Sequence, residues 1–231
     1  LPLFDTQPLT FSWPGLFRSN RFAGGDRQGD ADQLTAALTT RVLSAGDGRE
    51  ILSLGVGRIH YFEAPRVTVP GAGLLSDEGS AWVAEARWSA SDRFSLGLAH
   101  QWDPDDSRTQ LSAVRGQWRF GERGLVNAAY RYRADLLEQA DLSFVLPVHR
   151  NWTLLARWNY SLRDRTSLEA MGGVEWKSCC VAVRVLGRRY VREFSNEQNT
   201  GIYLEIELNG IGSFGRNTAR LLDDAILDYS R

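Results

Sequence analysis

Lysine is almost missing from this chain: of its 27 basic residues 26 are arginine, and Lys177 is the single lysine. Set against 28 acidic residues, the formal net charge is −1, which excludes a nucleic-acid binder working by bulk positive charge. There are two cysteines, adjacent at Cys179 and Cys180, and three histidines. A zinc site needs more soft ligands than one such pair supplies, so no metal is expected. His60, His100 and His149 fall in different segments, without a nucleophile elbow or a metal-binding helix. Neither an enzyme nor a cofactor is therefore expected. No run approaches the ~18 uncharged apolar residues of a membrane-spanning helix. Nothing near Leu1 pairs a basic start with an apolar run, so the chain reads as a mature protein or part of one.

What is present is a chain of 231 residues that is 43% apolar, with 8 Trp, 7 Tyr and 10 Phe. That composition excludes disorder and allows one or two domains with a core. It leaves two classes open, a soluble β protein and a membrane β-barrel. Periodicity narrows them. Trp82, Ala84, Ala86 and Trp88 alternate with Val83, Glu85, Arg87 and Ser89. Trp152, Leu154, Ala156 and Trp158 alternate with Thr153, Leu155, Arg157 and Asn159; Ile202, Leu204, Ile206 and Leu208 alternate with Tyr203, Glu205 and Glu207. Successive side chains of a strand point to opposite faces, so each segment carries an apolar face and a polar one. The alternation predicts strands near 33–45, 50–62, 79–90, 93–103, 109–120, 124–134, 138–148, 151–162, 166–177, 181–193 and 200–209. The prolines lie outside these interiors or at a strand end.

Strand length favours the barrel. A tilted span across a bilayer needs ~9–11 residues, whereas soluble strands average ~5–6. Aromatics gather near the ends of the apolar faces, as Trp82/Trp88, Trp118/Phe120 and Trp152/Trp158/Tyr160, in the manner of interfacial girdles. The expected fold is all-β, an antiparallel transmembrane barrel segment of about eleven strands. Short turns follow alternate strands and are placed in the periplasm. The expected organisation is then an extracellular loop at 1–32, barrel strands over 33–209, and a periplasmic tail at 210–231. An odd strand count with the ends on opposite sides points to the C-terminal part of a larger barrel, because an unpaired edge in lipid is costly.

The candidate lumen-facing polar residues are Glu85, Arg87, Arg115, Arg131, Arg157, Glu169, Glu205 and Glu207. Arginine matches phosphate and carboxylate in a bidentate fork, so such a wall could hold anionic groups, but a genome that favours Arg codons is the better explanation of the arginine excess. The mixed sign fits a hydrated wall better than an anion trap. In 1–32, Arg18, Arg21 and Arg27 accompany Gly24-Gly25-Asp26 and Gly29-Asp30, at spacings that fit neither a Walker loop nor an EF-hand. The expectation is a loop folded over or into the barrel mouth, held by Arg–Asp pairs and anchored by Leu16, Phe17 and Phe22. In the tail, Leu222, Ala225, Ile226 and Tyr229 sit at helical spacing with Asn217 or Thr218 as cap; a short helix docking outside these residues and a frayed end both fit. Adjacent cysteines bridge each other only through a strained ring. Two readings of the pair stand: bonds to cysteines outside this chain, which a turn in an oxidising compartment favours, or two reduced thiols.

The segment Leu16-Phe17-Arg18-Ser19-Asn20-Arg21-Phe22, with Asp26, Arg27, Asp30, Gln33-Leu34 and Thr39-Thr40-Arg41, resembles a motif of the LptD (OstA) family of lipopolysaccharide-assembly proteins. Glu175-Trp176-Lys177-Ser178-Cys179-Cys180, followed by Val183-Arg184-Val185, is similar to the family's double-cysteine region, and Thr200–Leu208 to its final strand. The resemblance implies a large barrel in the outer membrane of a Gram-negative bacterium. It implies lipopolysaccharide as the cargo, a plug lipoprotein, LptE, and a periplasmic lipopolysaccharide bridge joined through an N-terminal domain. It also implies disulfides from Cys179 and Cys180 to that domain. Finally, it implies a lateral seam along the strand of Ile202, Leu204, Ile206 and Leu208, with cargo leaving into outer-membrane lipid. An ordinary porin or small-molecule channel is the alternative; it would lack the adjacent cysteines and would end at its last strand.

Overall fold

The computed structural model describes residues 5–69, 79–191, 197–208, 212–216 and 218–229. Parts of the expected connections 63–78 and 194–199, the capping candidate Asn217, and the strand ends at 192–193 and 209 lie outside the described residues. Two very short strands come first, β1 (Gln7–Pro8) and β2 (Phe22–Ala23). Eleven long ones follow: β3 (Gln33–Leu43), β4 (Glu50–Tyr61), β5 (Trp82–Ser91), β6 (Phe94–Asp103), β7 (Arg108–Phe120), β8 (Gly124–Arg133), β9 (Leu137–Pro147), β10 (Trp152–Ser161), β11 (Thr166–Lys177), β12 (Val181–Val191) and β13 (Gln198–Leu208). A short β14 (Gly212–Gly215) and one helix, α1 (Thr218–Ala225), complete the described residues. From β3 to β14 the strands form one twelve-stranded sheet in chain order. The all-β antiparallel fold expected from the alternation is thus the one observed, with β14 as an unexpected addition. No helix among the described residues is long and apolar enough to cross a membrane.

The chain forms two compact units, residues 1–89 with 97–113 and residues 90–96 with 114–231. In the first, β1 pairs with β2 and brackets a tight 3-10 turn at Trp13–Phe17, with Pro14 in its first turn, where a missing N–H leaves no helical bond unmade. This turn drives Leu16 into a fully buried position against Ile59, Tyr61 and Val83, with Phe11 and Trp13 packed beside them. The approach requires glycine beneath it. A Cβ on Gly57 would lie 2.8 Å from Leu16 Cδ1 and 3.0 Å from the Ala36 carbonyl. Phe22 is buried as expected, but Phe17 is 63% exposed and meets Trp13 edge-on with ring centroids 5.9 Å apart. The 3-10 turn points Leu16 and Phe17 in different directions, so only one of the two neighbours can face the sheet.

In the second unit the ladders fix which side chains share a face. Leu125 lies opposite Val145, Val145 opposite Leu155, Leu155 opposite Gly173, Gly173 opposite Leu186, and Leu186 opposite Tyr203. An apolar belt therefore crosses β8 to β13 on the face otherwise lined by polar groups. α1 lies on that belt: Leu222 and Ile226, one turn apart, are fully buried against it. The tail helix docks on its own sheet rather than on a partner outside these residues. An isolated eight-residue helix is marginal in water, so the belt is what stabilises it.

Candidate functional site

The sheet has two chemically different faces. On one, within the second unit, Trp118, Leu154, Trp158, Ile202 and Leu204 are exposed. Their exposure ranges from 40% at Leu154 to 82% at Ile202, too apolar a surface for water to leave uncovered. Ile206 and Leu208 of β13 belong to the same face and are also exposed. On the opposite face stand Asn127, Arg157, Glu175, Arg184 and Glu205, half-buried or buried.

The densest charge cluster of that second face centres on Arg184. Its guanidinium reaches Glu175 at 2.6 Å, Glu207 at 2.8 Å and Glu205 at 3.3 Å. Strand register makes the cluster: Arg184 lies opposite Glu175 on one side and Glu205 on the other. Glu205 also accepts the first N–H groups of α1, from Thr218 at 3.0 Å and Ala219 at 3.1 Å, and the Thr218 hydroxyl. A carboxylate at a helix N-terminus satisfies donors that the helix leaves unpaired and complements its dipole. Further along, Tyr229 donates to Glu175, Asn127 donates to the Leu227 carbonyl, and Gln117 and Arg119 both donate to Asp228. Burial, followed by the Glu175 carboxylate, holds the Tyr229 hydroxyl protonated well beyond its ordinary range.

A second cluster lies beside it. Arg157 is clamped by Asp141 at 2.7 Å and Glu169 at 3.0 Å, and Arg188 also reaches Glu169 at 2.5 Å. With Arg220, Leu221, Asp224 and Ala225 of α1, Arg157 and Arg188 line a cavity of about 290 Å³. Three arginines face it, and the acids around them make the site mixed in sign rather than purely cationic. Of the candidate lumen residues, the fold thus brings Arg157 to Glu169, and Glu205 to Glu207 through Arg184. Arg87, Arg115 and Arg131 stand exposed and enter neither cluster, and Glu85 lies in the other unit. Asp141 and Arg188 were not singled out from sequence, and Arg184 was named only within the double-cysteine stretch; the signal was the position of Arg184 and Arg188 on the polar face of β12, which needs strand register to become a contact.

The segment 5–32 is tied down by its polar groups. Arg21 donates to Asp30 at 3.0 Å, to the Asp30 carbonyl and to the Val67 carbonyl at 3.1 Å. Asp30 in turn accepts the N–H of Arg66 at 2.6 Å and of Val67 at 3.2 Å. Burial raises the Asp30 carboxyl, but those two N–H groups and the Arg21 guanidinium together hold it below the usual carboxylate range. Asn20 accepts from Phe22 and Gly29, Arg27 donates to the Thr68 carbonyl, and Thr6 donates to Asp26. Arg18 is exposed and enters none of these bonds. Deeper in, the Gln101 amide donates to the Phe11 carbonyl at 2.5 Å and Thr35 donates to the Leu16 carbonyl at 2.9 Å. The motif of 16–30 therefore folds a segment onto its own sheet.

Cys179 and Cys180 are both exposed in the turn between β11 and β12, with their sulfurs 2.8 Å apart. The neighbouring Cys179 thiol pushes Cys180 above its ordinary pKa. Exposure leaves both sulfurs open to a partner from outside.

A family model described as LptD, LPS transport system D, matches residues 1–152. An LPS-assembly protein LptD of Xanthomonas oryzae pv. oryzae is 46% identical over 245 aligned residues, covering 100% of this chain and 30% of that protein. The same name is carried by a protein of Xanthomonas euvesicatoria pv. vesicatoria, also 46% identical with the same coverage. A third, from Xylella fastidiosa, is 42% identical over 238 residues, again with 100% of this chain and 30% of the relative. The chain thus spans about a third of the length of the curated relatives it matches.

Proposed function

Because the chain belongs to the LptD family, we propose that it forms a stretch of barrel wall in an outer-membrane lipopolysaccharide-assembly protein. The observation that carries this reading is the two-faced sheet: exposed Trp and Leu on one side, clustered Arg and Glu on the other. The first face suits hydrocarbon and the second a hydrated lumen. Lipopolysaccharide has a large polar head and several acyl chains, so it fits neither medium alone. A wall with a weakly paired seam lets sugars move along the lumen while acyl chains enter lipid. On this reading the exposed face contacts outer-membrane lipid, the seam runs along β13, and a plug lipoprotein of the LptE type and a periplasmic bridge complete the machine. Cys179 and Cys180, exposed in a turn, bond to cysteines of a periplasmic domain.

The test is depletion of the full-length parent protein in its own bacterium. Newly made lipopolysaccharide is expected to vanish from the cell surface, and wild-type protein to restore it. The parent is expected to shift in a gel on reduction, and Cys179→Ser/Cys180→Ser together to abolish that shift. Surface lipopolysaccharide that persists through depletion would sink the reading.

A further inference from the structure

β13 is the last long strand, and its outward edge is not uniform. β14 occupies part of that edge, with Glu205 opposite Gly215, Ile206 opposite Phe214, Glu207 opposite Ser213 and Leu208 opposite Gly212. The Arg216 N–H adds a bond to the Leu204 carbonyl at 3.3 Å. Along Gln198–Tyr203 that edge has no strand beside it among the described residues. The occupied half is also held from the inner face. Glu205, at the start of the β14 pairing, receives Thr218 and Ala219 at the N-terminus of α1, and α1 then runs over the apolar belt to Ile226. Between the two attachments Gly215 takes φ +109°, and a Cβ there would lie 2.3 Å from the Leu204 carbonyl, so the crossing is built for glycine. Phe214, at 83% exposure, joins Ile206 on the apolar outer face.

We propose that β14 and α1 act as one clamp that keeps the Glu205–Leu208 edge of β13 permanently occupied, so that any further strand adds to β13 only along Gln198–Tyr203. The inference rests on the barrel-wall reading above. The partner is an antiparallel β-strand from outside these residues, which relatives with more than twice this chain's length in addition can supply. Unpaired N–H and C=O groups on Gln198–Tyr203 are a template for such a strand, and in lipid they must find one. Six of the eleven residues of β13 would then form the whole seam. Parting it would break roughly half the ladder of a full strand pair, and the clamp would keep β13 in place while that happens.

The experiment uses the full-length parent in cells that depend on it, carrying Ile206→Cys and Phe214→Cys. The two positions face each other across β13 and β14, within the Cα separation that a disulfide spans. Bridge formation is read on outer-membrane protein by resistance of these thiols to alkylation. Lipopolysaccharide delivery is read with a surface-specific antibody. Near-complete bridging with wild-type delivery is expected, with yield falling several-fold when Gly215→Val is added. Folded protein that fails to bridge would overturn the pairing. Complete bridging that stops delivery would overturn the permanence of the clamp. Unchanged surface lipopolysaccharide on depletion of the parent would instead defeat the functional reading, while the bridging yield would still decide the clamp.

Discussion

Replacing Arg184 with alanine is expected to cost about 3–5 kcal/mol of stability, enough to leave much of the protein unfolded in a marginally stable wall. Arg184 is buried between Glu175 and Glu205, whose side chains are only 10% and 4% exposed. Removing the cation leaves two buried carboxylates facing each other with no counter-charge. The cost comes from stranding those charges more than from losing three attractive contacts. Arg184→Lys keeps the charge but has no planar fork to serve three acids, so an intermediate loss is expected. Adding Glu175→Gln to Arg184→Ala should recover part of it, because one stranded charge is gone. Urea unfolding of the folded protein in detergent measures Arg184→Lys and a double-mutant cycle made of wild type, Arg184→Ala, Glu175→Gln and the two together. Equal midpoints for wild type and Arg184→Ala would show that water reaches the cluster freely.

Replacing Leu222 with aspartate is expected to strip α1 from the wall while leaving the strands paired. Leu222 is fully buried among Leu125, Val145, Leu155, Met171 and Leu186. Truncation to alanine there would cost about 2–5 kcal/mol through lost burial and a residual cavity. A carboxylate is worse, since the belt offers it no donor. The helix has eight residues and cannot hold its shape alone. The ladders β8 to β13 do not pass through α1, so the sheet persists. Trypsin gives the readout: Arg220 lies within α1 and should resist cleavage in folded wild type and be cut rapidly in Leu222→Asp. Unchanged resistance at Arg220 would mean that the polar contacts of Glu205 and Asp228 hold the helix by themselves.

The long strands were legible because alternation alone writes them. The segment Trp152–Ser161 was expected at 151–162, and Thr166–Lys177 was placed at its observed ends. β14 was not legible. Gly212-Ser213-Phe214-Gly215 is four residues with two glycines and no alternation, and only the neighbouring edge of β13 makes it a strand. The helix was visible in the i, i+4 spacing of Leu222 and Ile226, but its seat was not. Val145, Leu155 and Leu186 are spaced among polar residues along their own strands, and they join into a belt only once register aligns them. The same holds for charge. Glu205 and Glu207 read as lumen acids, yet Arg184, which binds both, draws its meaning from two strand partners. In 5–32 Arg–Asp pairing was legible as a kind of contact but not which partners meet, and Phe17 looked as good an anchor as Leu16 until the 3-10 turn turned it outward.

The claim beneath all of this is that one face of the sheet meets lipid and the other meets water. Spin labels placed singly on the full-length protein in outer membranes test it most directly. Leu154, Trp158, Ile202 and Leu204 are labelled on one face, and Gln117, Arg131 and Gly201 on the other. Apolar oxygen should relax the first set and a water-soluble nickel chelate the second, with the sign reversing between neighbours such as Gly201 and Ile202. Labels on both faces relaxed alike by the nickel chelate would contradict a barrel wall and return the chain to a soluble sandwich.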